Sequence, residues 1–258
     1  MSANNDTMGK TLLVTILLCV ICSVVVSSAA VILKPKQVAN KELDRKSNIL
    51  AAAGISDPSK SVDELFQQIT TRYVDLDSGK FVEMPAGYDD TKAAKDPQQG
   101  TQLARKDDIA GIKYQANIKP VYLVLNAEGG VAKVVLPVHG KGLWSTLYGF
   151  LALEGDLNTV VGLGFYSHAE TPGLGGEVDN PAWKALWPGK KVYGNDTTDP
   201  QIGLIKGAVD ASTPNAEFKI DGLSGATLTS NGVTHLVQFW MGENGYAPFL
   251  NNLRAGEA

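Results

Sequence analysis

Cysteine is almost missing from this chain of 258 residues: Cys19 and Cys22 are the only two, and both lie in an apolar run near the N-terminus. A disulfide framework and a thiolate metal site are therefore excluded for the rest of the sequence. The Cys-x-x-Cys spacing does not form a haem attachment site, because Ser23 stands where histidine is required. Two sulfurs do not complete a metal site, so we interpret the pair as small apolar residues of a membrane helix.

Clustered positive charge is also missing from the C-terminal half. The formal net charge is -4, with 23 basic and 27 acidic residues that are scattered along the sequence. Proteins that bind nucleic acid need grouped Lys and Arg for the phosphates. The composition therefore predicts no nucleic-acid partner.

The N-terminal apolar run, residues 11–33, contains no charged side chain. About 20 apolar residues are enough for a helix to cross the hydrocarbon core of a bilayer. The run is longer than the core of about 7–15 residues that secretory signal peptides carry. We therefore predict an uncleaved transmembrane helix over 11–33 that contacts the lipid bilayer, after a short N-terminal tail of residues 1–10. Signal-peptidase cleavage near residues 28–30 remains the alternative.

The charges beside this run favour one orientation weakly. Lys10 alone precedes the run, and five cations follow it closely: Lys34, Lys36, Lys41, Arg45 and Lys46. Positive charges accumulate on the cytoplasmic side, so this bias alone predicts a cytoplasmic C-terminal domain. Long domains cross membranes largely regardless of charge, which weakens that prediction.

Residues 34–110 are predicted to form a helical connector and a surface loop. Pro35 is expected to kink or break the membrane helix where it ends. Residues 38–53 have a helical pattern with Gly54 as the stop. A capping box starts the next helix, and a loop rich in Pro, Gly, Asp and Gln follows; these are Ser61 with Glu64, and residues 84–100.

Residues 111–258 are predicted to fold as an α+β domain. Apolar, β-branched runs bounded by Gly, Asn or Pro predict strands, and these runs are 120–125, 131–138, 160–166 and 201–205. Gly129 and Gly130 suggest a hairpin turn between the first two strands. Val233, Leu236 and Trp240 repeat at helical spacing and predict a helix near the C-terminus.

Three glycine-rich segments of this domain are candidate binding loops. We call them segment 1 (HGKGLW, 139–144), segment 2 (ETPGLGGE, 170–177) and segment 3 (DGLSGATLTS, 221–230). Glycine lets backbone N–H groups approach a ligand closely, and loops at strand ends often carry binding sites. Each segment taken alone is equally compatible with a plain turn. Segment 1 does not match the dinucleotide pattern, because Ser145 replaces its third glycine.

Segment 3 predicts a phosphate site because it directly precedes the C-terminal helix. Thr227, Thr229 and Ser230 are candidates for the helix cap or first turn. A phosphate there would meet unpaired N–H groups and the positive end of the helix dipole. Gly225 and Ala226 leave little side-chain bulk beside Thr227.

Segment 3 also resembles the flavinylation motif of the FMN-binding domain family. The resemblance rests on Ser224-Gly225-Ala226-Thr227, preceded by Asp-Gly. It implies flavin mononucleotide (FMN) bonded to Thr227 through a phosphoester. Together with the anchor and the other two segments, it resembles the flavin subunits of bacterial Na+-translocating NADH:ubiquinone reductases. The related flavin subunit of Rnf-type ferredoxin:NAD electron-transport complexes is the alternative.

The same resemblance implies which residues bind the flavin. It adds Leu143 and Trp144 from segment 1, four residues of segment 2, and a cation near the phosphodiester: Glu170, Thr171, Leu174, Gly175 and Lys206. Trp144 is expected on the flavin face or, equally, in the core. Glu170 is expected near the ring, where a carboxylate shifts the flavin potential, or else as a surface charge.

The implied function is electron relay within an NADH:ubiquinone reductase complex of the inner membrane. The subunit would take single electrons from an iron–sulfur centre of its partner subunits and pass them to a second covalent FMN on another subunit. A separate flavin transferase, which uses FAD and a metal ion, would attach the FMN outside the cytoplasm. That implies a periplasmic C-terminal domain, against the charge bias. NADH and sodium would be handled by other subunits, so no catalytic residue or metal ligand is expected here.

Three other classes of function are compatible with single features. A serine hydrolase would use Ser224, in a sequence resembling a nucleophile elbow, with His139 or His168 as base. A metal-binding or sensory domain would use these two histidines and His235, although the three share no ligand spacing. A structural assembly subunit would leave Thr227 unmodified.

Overall fold

The computed structural model describes residues 7–84 and 87–258, and it divides into two units, one up to Asp44 and one spanning Arg45–Ala258. The expected N-terminal tail and the expected loop 84–100 therefore fall partly outside the described residues, at 1–6 and 85–86.

The first helix, α1 (Met8–Ala52), is the one helix of the described chain that is long and apolar enough to cross a membrane. Its most apolar stretch has no buried residue within the protein, as expected for a surface that faces lipid. The predicted break at Pro35 was wrong, because the helix continues through it. Proline removes one N–H donor, and the hydrogen bonds on either side are enough to continue the helix. The stop was predicted correctly: Gly54 follows the helix with φ of 65°.

The second unit combines one large sheet with short helices. The strands of the described chain are β1 (Ile69–Asp75), β2 (Lys80–Val82), β3 (Gly100–Gln102), β4 (Tyr114–Ala116), β5 (Ile118–Leu125), β6 (Val131–Lys141), β7 (Thr146–Glu154), β8 (Val160–Ser167), β9 (Gly203–Leu204) and β10 (Lys219–Ile220). The remaining helices are α2 (Val62–Phe66), α3 (Asp90–Ala93), α4 (Pro181–Lys184), α5 (Thr227–Met241) and α6 (Ala247–Ala255). Short 3-10 turns lie at Gly175–Asp179 and Ala216–Phe218.

The large sheet has the strand order β2-β1-β5-β6-β7-β8, and its neighbouring strands are antiparallel. Two smaller sheets pair β9 with β10 and β3 with β4. Strands β1 and β2 lie in the segment expected to be a helical connector and loop. The predicted capping box at Ser61 is present, but its helix stops at Phe66 and the chain turns into β1.

The other predictions of local structure are largely confirmed. Four of the five longest strands, or their cores, were predicted in place, as were the hairpin turn and the C-terminal helix. Asn126 closes the turn by accepting the Gly130 N–H through its side chain at 2.8 Å, and Gly129 has φ of 82°. Strand β7 was missed, since Gly149 and a mixed apolar pattern hide its alternation. Helix α6 was missed as well.

The sheet is covered on both faces. One face of the central strands carries Val134, Leu136 and Leu151, which pack in a large apolar cluster with α5. The opposite face carries Val135, Phe150 and Ala152, which pack with the last turns of α1 around Ile49 and Leu50. Alternating side chains of one strand thus enter two separate cores, which is the expected geometry of a sheet buried on both sides.

Helix α5 packs very closely on β6. A Cβ atom built on Gly140 would lie 2.8 Å from the Leu236 Cβ, and one on Gly232 would lie 2.5 Å from the Lys141 carbonyl oxygen. The buried Trp240 donates its indole N–H to the His139 carbonyl at 2.6 Å. These contacts fix the helix relative to segment 1, which follows directly from β6.

We predict that Gly140→Ala destabilises the protein by about 1–3 kcal/mol, because the new methyl group overlaps the Leu236 side chain. Gly164→Ala is the matched control on β8, where an added Cβ meets no atom within 4 Å. It should change the free energy of unfolding by less than about 0.5 kcal/mol. Urea unfolding of the detergent-solubilised protein measures both. Equal effects of the two substitutions would contradict this account of the α5–β6 contact.

Candidate functional site

The three glycine-rich segments meet around the carboxylate of Glu170, which begins segment 2. Glu170 is only 5% exposed, so it is not the surface charge that was one expectation. Segment 1 lies at the end of β6, segment 2 follows β8, and segment 3 leads into α5. The fold therefore brings together three pieces of chain that are separated by about 30–90 positions.

Four donors bind the Glu170 carboxylate. The backbone N–H groups of Leu143, Trp144 and Ser145 donate at 3.3, 3.0 and 3.2 Å. The Thr229 hydroxyl, in the first turn of α5, donates at 2.7 Å. One carboxylate thus connects segment 1 with segment 3.

Two glycines are required for this arrangement. A Cβ atom on Gly142 would lie 2.6 Å from the Glu170 Oε1, and one on Gly175 would lie 2.5 Å from the Thr229 Oγ1. Such distances are too short for any side chain. The glycines of segments 1 and 2 are therefore explained by close packing around one charged group.

The electrostatics of Glu170 favour the ionised form. Burial raises the pKa of its carboxyl group, but the hydrogen bonds from the Thr229 hydroxyl and from the three backbone N–H groups lower that pKa by more. The net pKa is below the usual value for glutamate. The carboxylate is consequently charged and fully accepting at neutral pH.

Helix α5 begins at Thr227, whose side chain is exposed. Its N-cap residue is Ala226, which supplies no side-chain acceptor to the first-turn N–H groups. Ser230 instead braces the segment, since its hydroxyl accepts the Leu223 N–H at 3.0 Å and donates to the Ala226 carbonyl at 3.1 Å. The start of α5 thus has the features of an anion site: free donors and the positive end of a helix dipole.

A cleft of about 510 Å³ lies beside Thr227. One wall is formed by segment 3 and the other by residues 204–208, which include the exposed Lys206. The two walls are tied by hydrogen bonds from the Val209 N–H to the Asp221 carboxylate and from the Gly222 N–H to the Gly207 carbonyl, each 2.9 Å long. Lys206 and Thr227 therefore line one cleft.

Exposed apolar side chains surround the same segments. Trp144 is 70% exposed, Leu143 41%, Leu174 43% and Leu228 61%. This excludes the expectation that Trp144 is a core aromatic. Leu174 lies over Gly225, where an added Cβ would be 3.0 Å from its Cδ2 atom. The sequence prediction missed Leu228, although an apolar residue in the first exposed turn of a helix could have indicated it.

The remaining predicted site residues belong to the same region. Ser224, Gly225 and Thr171 are exposed, and Ala226 is buried. Gly225 has φ of 70°, a left-handed conformation that favours glycine at this point of the motif. The structure therefore gathers every residue of the predicted site around segments 1 to 3 and the adjoining cleft.

The histidines do not form a hydrolase or metal centre. His168 is engaged at both ring nitrogens: Nε2 contacts the Asp179 carboxylate at 2.7 Å, and Nδ1 accepts the Glu170 N–H at 3.2 Å. His139 packs between Tyr148 and Trp240 on the sheet, and His235 is exposed on α5. Within residues 7–84 and 87–258, no group of three His, Cys, Asp or Glu side chains could hold a metal ion.

Comparison with known proteins identifies the class of this site. Residues 142–242 match the model of the FMN-binding domain family, and this range contains segments 2 and 3 and the end of segment 1. With the membrane-length helix ahead of it, the chain is a membrane-anchored flavoprotein with an FMN-binding domain.

Relatives extend this match to the full chain. The NqrC protein of the Na(+)-translocating NADH-quinone reductase from Pseudomonas aeruginosa is 52% identical over 262 residues, which cover 99% of this chain and 100% of the relative. Its counterpart from Pasteurella multocida is 48% identical over 260 residues, covering 99% and 98%. The crystal structure of NqrC from Shewanella oneidensis has a TM-score of 0.76 and 35% identity, covering 84% of this chain and 99% of that one.

The chain therefore belongs to the NqrC family, whose members are subunits of the Na+-translocating NADH-quinone reductase, an oxidoreductase complex. Of the two complexes whose flavin subunits the motifs resemble, the relatives select the quinone reductase over the Rnf type.

His139 generates a prediction about pH. Burial, and secondarily the charge of Lys119, lower the pKa of His139 to about 3. The unfolded chain takes up this proton below about pH 6.5, whereas the folded protein does not. Stability should therefore fall as the pH drops from 6.5 towards 3, by up to about 1.4 kcal/mol per pH unit.

His139→Gln should flatten this part of the pH dependence, and His235→Gln on the exposed side of α5 should leave it unchanged. Thermal unfolding between pH 7 and pH 4.5 measures the difference. An unchanged slope in His139→Gln would contradict the lowered pKa.

Proposed function

We propose that this chain carries FMN bonded to the Thr227 hydroxyl through a phosphoester and relays single electrons within the quinone reductase. The observation that carries the proposal is the position of Thr227: it is the exposed first residue of α5, beside a cleft and a free helix N-terminus. The hydroxyl is thus accessible to an enzyme and next to groups that favour a phosphate.

The residues of segment 3 fit a phosphate. Ala226 leaves the first-turn N–H groups of α5 free for phosphate oxygens, and the helix dipole favours their negative charge. Lys206 lines the same cleft and would add a cation on the opposite wall. Ser224 and Gly225 are exposed and offer little bulk, so the transferase has access to the Thr227 oxygen.

The exposed apolar side chains fit the isoalloxazine ring. Trp144, Leu143 and Leu174 offer an apolar surface that is unusual at such exposure unless a ligand or partner covers it. Thr171 and the buried Gly175 border Leu174 in segment 2. We assign ring packing to Trp144 and Leu174, since an indole and a branched aliphatic chain suit an aromatic face.

The role of the protein follows from this chemistry. Bound FMN supplies one-electron transfer, and the protein holds and orients it. The electron donor would be an iron–sulfur centre of the neighbouring membrane subunits, and the acceptor a second covalent flavin. An exposed ring edge at the surface suits electron transfer between subunits. No side chain of this subunit is required as an acid or base.

Maturation and orientation are part of the proposal. Threonine is a weak nucleophile, so a flavin transferase with a bound metal ion would form the Thr227 oxygen–phosphorus bond as the pyrophosphate bond of FAD breaks and AMP leaves. This takes place outside the cytoplasm, so we propose a periplasmic C-terminal domain. Residues 11–33 would contact lipid and the neighbouring subunits of the complex.

We predict that the tryptic peptide holding Thr227, taken from protein of the native host, is heavier by one FMN less one water. Thr227→Ala should lose this mass completely, because the bonding oxygen is gone. Thr71→Ala, an exposed threonine of β1, should keep it. Intact mass and peptide mapping measure all three. An unmodified Thr227 in active host membranes would overturn the covalent attachment.

A second prediction tests orientation. Lys106→Cys adds one exposed thiol to the second unit, and Cys19 and Cys22 are replaced by Ala to remove the background. A membrane-impermeant maleimide should label this variant in intact spheroplasts to the same extent as in lysed cells. Labelling only after lysis would show a cytoplasmic domain and overturn the periplasmic orientation.

A further inference from the structure

The Glu170 carboxylate has no room for a flavin contact. Its two oxygens already accept four hydrogen bonds, which is about as many as a carboxylate takes. Glycine Cβ positions at 142 and 175 would lie within 3 Å of its oxygens. With 5% of the residue exposed, the charge faces the protein and not the site.

We infer that Glu170 is a positioning residue, which holds the flavin slot in shape before the flavin arrives. This inference rests on the proposed function for the identity of the ligand. It replaces the expectation of a ring-contacting carboxylate with a different role. The ligand contacts belong to Trp144 and Thr227, and Glu170 sets the distance between them.

The two carboxylate oxygens divide this task. Oε1 accepts the Trp144 and Ser145 N–H groups and so fixes the turn of segment 1. Oε2 accepts the Leu143 N–H and the Thr229 hydroxyl and so ties that turn to the first turn of α5. Thr227 lies in the same turn of α5. The rigid carboxylate plane therefore links the apolar wall of the slot to the attachment point.

A second set of hydrogen bonds holds the Glu170 backbone itself. His168 Nδ1 accepts the Glu170 N–H at 3.2 Å, and the Ser145 hydroxyl accepts the Ala169 N–H at 2.7 Å. His168 is in turn oriented by Asp179. Segments 1 and 2 are thus connected in both directions, so the carboxylate cannot move away when segment 1 moves.

Loss of the charge should loosen the slot in a graded way. In Glu170→Gln one oxygen still accepts N–H groups, but the amide nitrogen faces the Leu143 N–H and repels it. In Glu170→Ala all four donors lose their partner, and buried unpaired donors are costly. Thr229→Val removes only the hydroxyl bond and keeps the shape of the side chain. Glu177→Gln is the matched control, because this carboxylate of segment 2 binds only the Asn180 side chain among the described residues.

The experiment uses the full chain produced with its flavin transferase. We expect the rate of covalent flavin attachment to fall about tenfold in Glu170→Gln, further in Glu170→Ala, and by a smaller factor in Thr229→Val. The anisotropy of the attached flavin should also fall in these variants, because the ring moves more freely. A general loss of stability would not produce that change in folded protein. Glu177→Gln should match the wild type in both measurements.

Hydrogen exchange in the Thr227→Ala background, which lacks the attachment oxygen, separates the two proposals. Exchange of the amides of residues 143–145 should accelerate at least about tenfold on adding Glu170→Gln, but not on adding Glu177→Gln. Unchanged exchange together with unchanged attachment and anisotropy would overturn the positioning role. A wild-type protein without covalent FMN would instead overturn the proposed function, and the exchange result would still decide whether Glu170 organises the slot.

Discussion

The buried charge of Glu170 constrains the whole site, because a carboxylate inside a protein is stable only when donors surround it. Three backbone N–H groups and one hydroxyl provide those donors, and they come from two segments that are remote in sequence. Folding must therefore bring segments 1 and 3 to the same point before the charge is satisfied. The glycines at 142 and 175 follow from this requirement, since neither position has space for a side chain.

The architecture serves this convergence. Segment 1 connects β6 and β7, segment 2 follows β8, and segment 3 enters α5, which lies across β6. Gly140 and Gly232 let the helix approach the strand closely enough for Thr229 to reach Glu170. The sheet supplies rigidity, and the loops at its end supply chemistry. A membrane-anchored member of the NqrC family thus keeps its flavin-binding residues on a firm support, apart from the helix that contacts lipid.

Much of the site was predictable from sequence, and its internal organisation was not. The motif ending at Thr227 stands out because its residue types suit a phosphate at a helix start, and the family resemblance located the other segments. The position of Glu170 in its sequence gave no indication of its partners, because hydrogen bonds to backbone N–H groups leave no mark on the donor's residue type. Burial was equally hidden: Trp144 is among the most exposed aromatic residues and Glu170 among the least exposed charges. The strands β1 and β2 escaped prediction because their pairing with β5 is decided by tertiary contacts and not by local pattern.

The alanine at the N-cap of α5 has a consequence for the lifetime of the protein. Serine, threonine, asparagine or aspartate in place of Ala226 would stabilise the helix by about 1 kcal/mol, yet its oxygen would occupy the donors that a phosphate needs. The chain therefore leaves the synthesis machinery with an incompletely satisfied helix, and an anion bound at this end completes it. A copy that never acquires its anion stays the less stable one and opens more often. Proteases would remove such copies first, so the composition of one cap position couples maturation to turnover.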